Sequence, residues 1–497
     1  MKVLAILAMS FLATAANAAE YLVKYRDSVA FNALVSPSVQ SVRSYQVLDA
    51  HPAGQILKVD IVDAFKVSAL MQLLRNPGVE YVVPNAKVKA FASPISGQAL
   101  QEQWHIGQVK AEQAWARAGN KGSKQVVVAV IDTGVDYNHE SLAGNMVPGY
   151  DFRDNDSDPM DITGAQNPGH GTHCAGLIGA TGKANGGTTG TSPDVAIMPI
   201  RFLGADGSGD LNNAIKAIDF AIQKGANVIS ASWGATIQRS QAAPLIEAIK
   251  RADDAGVIFV AAAANDGRNN DSTDVFPANS GFPNTITVAA SNPADAKPQW
   301  SNFGKATVHV ASPGENIMST LPTKYGNLSG TSMATPIVSG IVAHLKAQDP
   351  SLTGAQIRAV LQTSGAKVAI ETACNCRVDA FAAVDSVLTK KMIGVPAAAS
   401  LAVGATMKVD VLNGTAPFTF KSASESVLRV AADGTITGAA QGTTTLQITD
   451  ANGQVFNSLD FNVGLESGTP GGECPLGDPA ICQLACQVMP TLPFCQQ

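Results

Sequence analysis

Between residues 103 and 365 the chain alternates short, nearly continuous apolar runs with longer segments of helical period. Val126 to Ile131, Val195 to Ile200, Ala226 to Ser230, Gly256 to Ala261 and Thr285 to Ala289 lack the in-out alternation of a half-exposed strand. Such runs predict strands buried on both faces, as in a parallel sheet. Asn212 to Gln223 and Leu245 to Ala255 have the length and period of crossover helices. The expected fold class is therefore α/β, a mostly parallel sheet flanked by helices. Functional groups of such sheets collect beyond the carboxyl ends of the strands, so candidate residues should follow a strand directly.

The flanks have a different texture. Tyr21 to Val23, Gln55 to Val59 and Val79 to Val83 predict strands, and Asp63 to Leu74 predicts a helix stopped by Asn76-Pro77-Gly78. Residues 20–91 thus read as a small α+β domain without groups arranged for chemistry, placed where a removable pro-segment would lie. Before it, Lys2, the apolar run Val3 to Ala13 and Ala16-Asn17-Ala18 form an export signal over residues 1–19, cut after Ala18 or Ala19. The run is shorter than the about 20 residues a membrane span needs, and no later stretch reaches that length.

Beyond the central region, Asp349-Pro350 stops a long helix, and Thr353 with Gln356 forms a capping box for the next. Helical period then disappears over residues 395–464. Leu401 to Val403, Met407 to Val411, Phe418 to Phe420, Val427 to Val430, Thr443 to Thr449 and Leu459 to Val463 read as short strands, with hairpin turns at Asp433-Gly434 and Asn452-Gly453. A small β-sandwich is expected there. Residues 465–497 form a linker, Ser467 to Gly472, and a tail holding Cys474, Cys482, Cys486 and Cys495.

Composition adds limits. A chain of 497 residues suggests roughly three domains, and 45% hydrophobic content permits a large core. A formal charge of -6 offers no attraction for nucleic acid or an anionic membrane. Four cysteines in a short exported tail argue for disulfides, with a metal knot as the alternative; tail cysteines or outside partners are the expected mates of Cys374 and Cys376, and the connectivity is not readable from sequence.

Four positions carry candidate chemistry. Asp132 follows the run ending at Ile131; it can be a loop residue, a metal ligand or the group that orients a histidine. Gly169-His170-Gly171-Thr172-His173 places two of the seven histidines of the chain together. Zinc is a possible reading of that pair, but the spacing and the missing Glu depart from the zinc-protease motif. A neutral His170 suits a general base near pH 7. Asn265 follows Val260 to Ala264 and reads as a turn former or as a hydrogen-bond donor to an oxyanion. Ser332, in Gly330-Thr331-Ser332-Met333-Ala334-Thr335-Pro336, is an N-cap or a nucleophile at a helix start, where backbone amides favour developing negative charge. Separately, Asp151, Asp154, Asp156, Asp158 and Asp161 should repel one another unless solvated or bridged, which suits calcium as an expected structural ion.

Ile131-Asp132-Thr133-Gly134, His170-Gly171-Thr172-His173 and Gly330-Thr331-Ser332-Met333-Ala334 resemble the three signature blocks of the subtilisin-like serine proteases, the subtilases, in that family's order. The resemblance covers Gln103 to about Val368, within an expected catalytic domain of residues 92–390. It implies a serine endopeptidase working through an acyl-enzyme, with Ser332 as nucleophile, His170 as base and then acid, Asp132 as its orienter and Asn265 at the oxyanion. His173 resembles a structural histidine. Ser232-Trp233-Gly234 resembles the edge that pairs with extended substrate, Ala262, Ala263 and Ala264 the other wall of the first specificity pocket, and Gly207 part of a second edge loop. Roomy alanines imply an apolar or aromatic residue before the scissile bond. The family's habit of binding calcium favours the aspartate cluster, although His139-Glu140-Ser141 departs from the pattern of its strongest calcium site.

Gly78-Val79-Glu80-Tyr81-Val82-Val83-Pro84-Asn85 resembles an inhibitor-type propeptide, which implies that the chain's own pro-segment occupies the substrate groove until a cut between Asn85 and Gln103. Gly434 to Gly438 followed by Gly442 to Leu446 resembles bacterial immunoglobulin-like domains, implying a spacer or a binding and surface-association module. Cys174 resembles a buried free thiol found in some subtilases, which mercurials would reach. A secreted, extracellular bacterial monomer acting on proteins or peptides is the resulting expectation. A non-catalytic binding protein on the same scaffold would lack the nucleophile or the base, and neither is missing.

Overall fold

A computed structural model describes residues 18–35, 45–62, 65–91, 93–94, 103–182, 187–464, 475–476 and 479–488. Residues 1–17 of the expected export signal, and Cys474 and Cys495 of the tail, lie outside the described residues. The chain divides into two compact units, Met1–Asn85 with Gly472–Gln497, and Ala86–Gly471.

The first unit is built on an antiparallel sheet in the order Gln46–His51, Ile56–Val62, Ala18–Tyr25, Val79–Pro84. Its apolar face carries Tyr21, Val23, Leu57, Val59 and Ile61, and the helix Lys66–Leu74 closes over them with Ala69, Leu70 and Leu73. The strand Gln46–His51 is absent from the sequence reading because its residues are mostly part-exposed and include no apolar run. The tail does not stand apart. Leu476, Ile481 and Ala485, the last two on the helix Pro479–Val488, join this core, and Cys482 and Cys486 are disulfide-bonded.

The second unit holds the expected parallel sheet. Its order is Ala366–Lys367, Cys376–Arg377, Val310–Pro313, Thr285–Ser291, Ile258–Ala262, Val228–Ala231, Val127–Asp132, Ala196–Arg201, Tyr150–Asp151. All its neighbours run parallel except the first two strands. The central strands are buried from end to end, which is why they read as unbroken apolar runs. On the sheet lies the helix Thr331–Gln348, buried from Thr331 to Leu345, with Ile337, Ile341 and Leu345 in the core. Asp132, Ala231 and Ala262 each end their strand, so one edge of the sheet collects the turns that carry chemistry. Cys374 and Cys376 pair with each other and not with the tail, a correction to the sequence reading.

From Ile393 to Val463 the chain forms short strands in small sheets: Ala399–Leu401 with Phe461–Val463 and Gly442–Thr444, Thr406–Lys408 with Thr435–Gly438 and Leu428–Val430, and Thr419–Ser422 with Leu446–Thr449 and Val455–Asn457. The expected single run Thr443 to Thr449 is two strands in different sheets, divided at Thr445. Gly434 and Gly453 take left-handed backbone in their turns, with φ of 87° and 80°.

Candidate active site

Asp132 leaves its strand with one carboxylate oxygen, Oδ1, accepting the Thr133 amide at 2.7 Å and facing His170 Nδ1 at 2.7 Å. Both side chains are almost wholly buried, at 1% and 3% exposure. Because Nδ1–H donates to the carboxylate, a neutral His170 carries its lone pair on Nε2, which makes no hydrogen bond among the described residues. That is the tautomer a general base requires.

The helix His170–Gly179 is aimed by a buried network. Asn167 Oδ1 accepts the amides of Gly169 at 3.0 Å and His170 at 2.8 Å, taking over donors that a helix start leaves open. Asp161 in turn accepts from Asn167 Nδ2, from Thr133 Oγ1, and from both the amide and the hydroxyl of Thr172. Burial raises the Asp161 pKa and these donors oppose the rise. Thr133 Oγ1 also accepts the Gly171 amide at 2.9 Å, tying the aspartate turn to the histidine helix.

Across the cleft, the Ser332 hydroxyl donates to Ser232 O at 2.8 Å and accepts the Phe91 amide at 3.1 Å. Ser332 Oγ and His170 Nε2 are not hydrogen-bonded to each other here. Asn265 Oδ1 accepts the amide and the hydroxyl of Thr331, each at 2.9 Å, which fixes its Nδ2 as the outward donor. Nδ2 donates to Phe91 O at 2.6 Å. The turn that aims Asn265 is strained: Ala264 has φ 88°, a conformation costing a side-chain-bearing residue about 1–3 kcal/mol.

Short strands before and after Phe91 lie in this cleft. Lys87–Ala90 pairs antiparallel with Ser208–Asp210 on one side and Trp233–Gly234 on the other. Ala90 N donates to Gly207 O at 3.0 Å and Phe91 N to Ser232 O at 3.2 Å. Beyond, Ser93–Pro94 pairs with Leu328 and Ser329. The Phe91 ring is buried with Ala262, Ala264, Val275 and Ala278. Ala263 does not line this pocket. Successive strand residues face opposite ways, and it packs instead with Ala289, Val308, Ala311 and Ile370. The Trp233 side chain is buried too, its Nε1 donating to Ile131 O, so its backbone alone meets the Lys87–Ala90 strand.

The family profile described as the subtilase family, peptidase S8, matches residues 123–380, more than half of the chain. The chain is a subtilase. It is 39% identical to thermitase of Thermoactinomyces vulgaris over 267 residues, 54% of this chain and 89% of that protein. A thermophilic serine proteinase of Bacillus sp. strain AK1 is 36% identical over 313 residues, 63% of this chain and 74% of the relative. Subtilisin amylosacchariticus of Bacillus subtilis subsp. amylosacchariticus is 34% identical over 298 residues, 60% and 72% of the two chains. This subtilase is accordingly a serine endopeptidase, a hydrolase of peptide bonds in proteins and peptides. No described helix is long and apolar enough to cross a membrane.

In the subtilase the aspartates expected to hold calcium each have protein partners. The sheet register sets Asp151 opposite Arg201, and that guanidinium pairs with both Asp151 and Asp154. Asp158 takes the Tyr137 hydroxyl, Asp156 accepts the Asp158 amide, and Asp161 belongs to the His170 network. Arg201 is distant from the aspartates in sequence and reaches them only through strand pairing. Asn167, Thr172 and Phe91 were not singled out in the sequence reading, although Thr133 and Thr172 lie inside the signature blocks. Cys174 is buried and free, with Sγ 3.4 Å from Ser332 O and close to both Asp132 and His170.

Proposed function

We propose that this subtilase is an exported bacterial zymogen that cuts after aromatic or large apolar residues through an acyl-enzyme, and that its first substrate is its own Phe91–Ala92 bond. The observation that carries this reading is the placement of Phe91: carbonyl oxygen on Asn265 Nδ2, amide on Ser332 Oγ, ring in an apolar pocket. In the reaction Ser332 Oγ attacks the Phe91 carbonyl carbon as His170 Nε2 takes its proton, and Asp132 stabilises the imidazolium. Negative charge on the oxygen is met by Asn265 Nδ2 and the Ser332 amide. In subtilisin, loss of the comparable asparagine costs about 3–4 kcal/mol, and that known magnitude is adopted for Asn265. The tetrahedral intermediate collapses, His170 protonates the departing amine of Ala92, and water then releases the acyl group by the same steps reversed. Burying a Phe side chain contributes about 1.5–3 kcal/mol, enough to favour aromatic over small residues roughly tenfold or more.

Residues 20–91 act in this reading as an inhibitor-type propeptide, supported by the pairing of Lys87–Ala90 on both edges of the groove. Residues 395–464 form an immunoglobulin-like β-sandwich serving surface association. Export rests on Lys2, the apolar run and Ala16-Asn17-Ala18. The test is N-terminal sequencing with intact mass for wild type and Ser332→Ala, alongside casein hydrolysis. Wild type should begin at Ala92 and be active, while the variant keeps the pro-segment and is silent. A mature chain starting elsewhere would remove Phe91 as the cut residue; equal processing of the variant would remove self-cleavage.

A further inference from the structure

Ala278 packs against Phe91 and also lines a separate cavity of about 670 Å³. Arg358, His309 and Lys305 face this cavity from the protease core, and Pro396, Met407 and Asp410 from the C-terminal strands. Its hydrogen-bond inventory does not close. His309 Nδ1 accepts the Thr287 amide at 2.8 Å, and a backbone amide can only donate, so the neutral ring holds its hydrogen on Nε2. Burial and the nearby Arg358 push the His309 pKa well below 6.5, which keeps the ring neutral. Its Nε2 lies 3.3 Å from Arg358 Nη1, and a guanidinium also only donates. The contact therefore sets donor against donor.

Arg358 Nη1 directs its hydrogens at Phe282 O, 3.2 Å away, and Thr285 O, 3.0 Å away, so it leaves His309 Nε2–H without an acceptor. No described carboxylate is in ion-pair contact with Arg358; burial lowers its pKa to about 10 and the charge of Asp253 opposes the fall, leaving it charged at neutral pH. Lys305 adds an exposed cation at the rim. Lys408 is already paired with Asp433, and Asp410 is an exposed rim acid. A ring N–H without an acceptor beside a guanidinium, both on the lining of the cavity, is matched by an acceptor with negative charge, and Pro396, Met407 and the lining alanines would accept an apolar body.

We propose that this cavity binds a small organic carboxylate with an apolar body, its oxygens bridging His309 Nε2–H and the Arg358 guanidinium. Peptide hydrolysis generates molecules of this class. The binding site is separate from the triad, and Ala278 borders both the cavity and the Phe91 pocket.

The experiment uses the full chain as Ser332→Ala, which cannot digest itself, titrated calorimetrically with N-acetylleucine, N-acetylleucinamide, acetate and inorganic phosphate. N-acetylleucine should bind once per chain, roughly tenfold or more tighter than its amide, acetate or phosphate, and shift the ring-nitrogen NMR signals of His309. Arg358→Gln should weaken it by roughly tenfold or more, and Lys305→Glu by about threefold with thermal unfolding unchanged. Equal binding of acid and amide, no binding of the acid, or unaltered binding in folded Arg358→Gln would overturn the site. Tighter phosphate than N-acetylleucine would overturn the carboxylate assignment. Should Arg358→Gln fail to fold, Lys305→Glu and the His309 signals decide: no change in either rejects the proposal.

Discussion

A Cβ on Gly234 would stand 2.6 Å from Phe276 O and 2.9 Å from the Phe91 ring, closer than carbon tolerates on either side. Phe276 O is backbone bonded to Ala235 N, so the edge is strained with any substrate and a ring in the pocket is crowded in addition. Gly234→Ala should therefore lower kcat/KM for substrates with Phe before the scissile bond about 10- to 100-fold and for those with Ala much less. A series of peptides differing at that residue measures the ratio, and a uniform loss would place the fault in the backbone edge instead. The neighbouring thiol makes a different kind of test. Burial and the charge of Asp132 raise the Cys174 pKa well above 9, so it is a thiol and a poor nucleophile toward alkylating reagents. Mercury is soft enough to take it nonetheless, and would then sit against Asp132 and His170. An organomercurial should inactivate wild type and spare Cys174→Ala, while iodoacetamide leaves both active; equal mercurial loss in the variant would remove Cys174 as the target.

Among the elements, the strand pair Tyr150–Asp151 and Ala196–Arg201 stands where a metal was expected. Arg201 and Asp151 have side-chain exposures of only 5% and 1%, so removing the cation strands a buried charge. Arg201→Met should destabilise the fold by about 3–5 kcal/mol, and adding Asp151→Leu should restore most of that. Urea unfolding in the Ser332→Ala background reads both; an unaltered midpoint for the single variant would mean that water already solvates Asp151. This pair also marks where sequence reading stops. The parallel strands were legible because burial on both faces leaves unbroken apolar runs, and Asp132, Asn265 and Ser332 were legible because they follow strands or open a helix amid small residues. Arg201 beside Asp151, Ala263 facing away from the pocket and Phe91 beside Ser332 all depend on register. Register is a relation between segments, which no single segment encodes. The strands after Ile393 were located only in part, since they are short and half-exposed, so little apolar periodicity survives in them.

For the molecule as a whole, acid is the expected weakness. His105, His173 and His344 are buried, and burial lowers their pKa values from 6.5 to about 3, about 3 and about 4. The unfolded chain binds these protons near pH 6.5 and the folded one does not, so the stability they contribute is present above that value. It is lost as pH falls toward their folded values. Each pH unit inside the window removes about 1.4 kcal/mol per histidine, so from pH 6.5 to 4 the three together remove about 10 kcal/mol. A domain stabilised by about 5–15 kcal/mol should then unfold near pH 4. Asp161, whose pKa burial raises, works the other way by taking up its proton earlier in the folded state, and offsets part of the loss. His105 offers the sharpest test because both its ring nitrogens lack partners among the described residues. His105→Leu removes no hydrogen bond and should change neutral-pH stability by about 1 kcal/mol or less. It should also take about one proton off the slope of unfolding free energy against pH between about 6 and 4. Urea midpoints of Ser332→Ala with and without His105→Leu across that range give both slopes. Parallel lines would mean that acid unfolding is governed by carboxylates, and the buried histidines would lose their part in it.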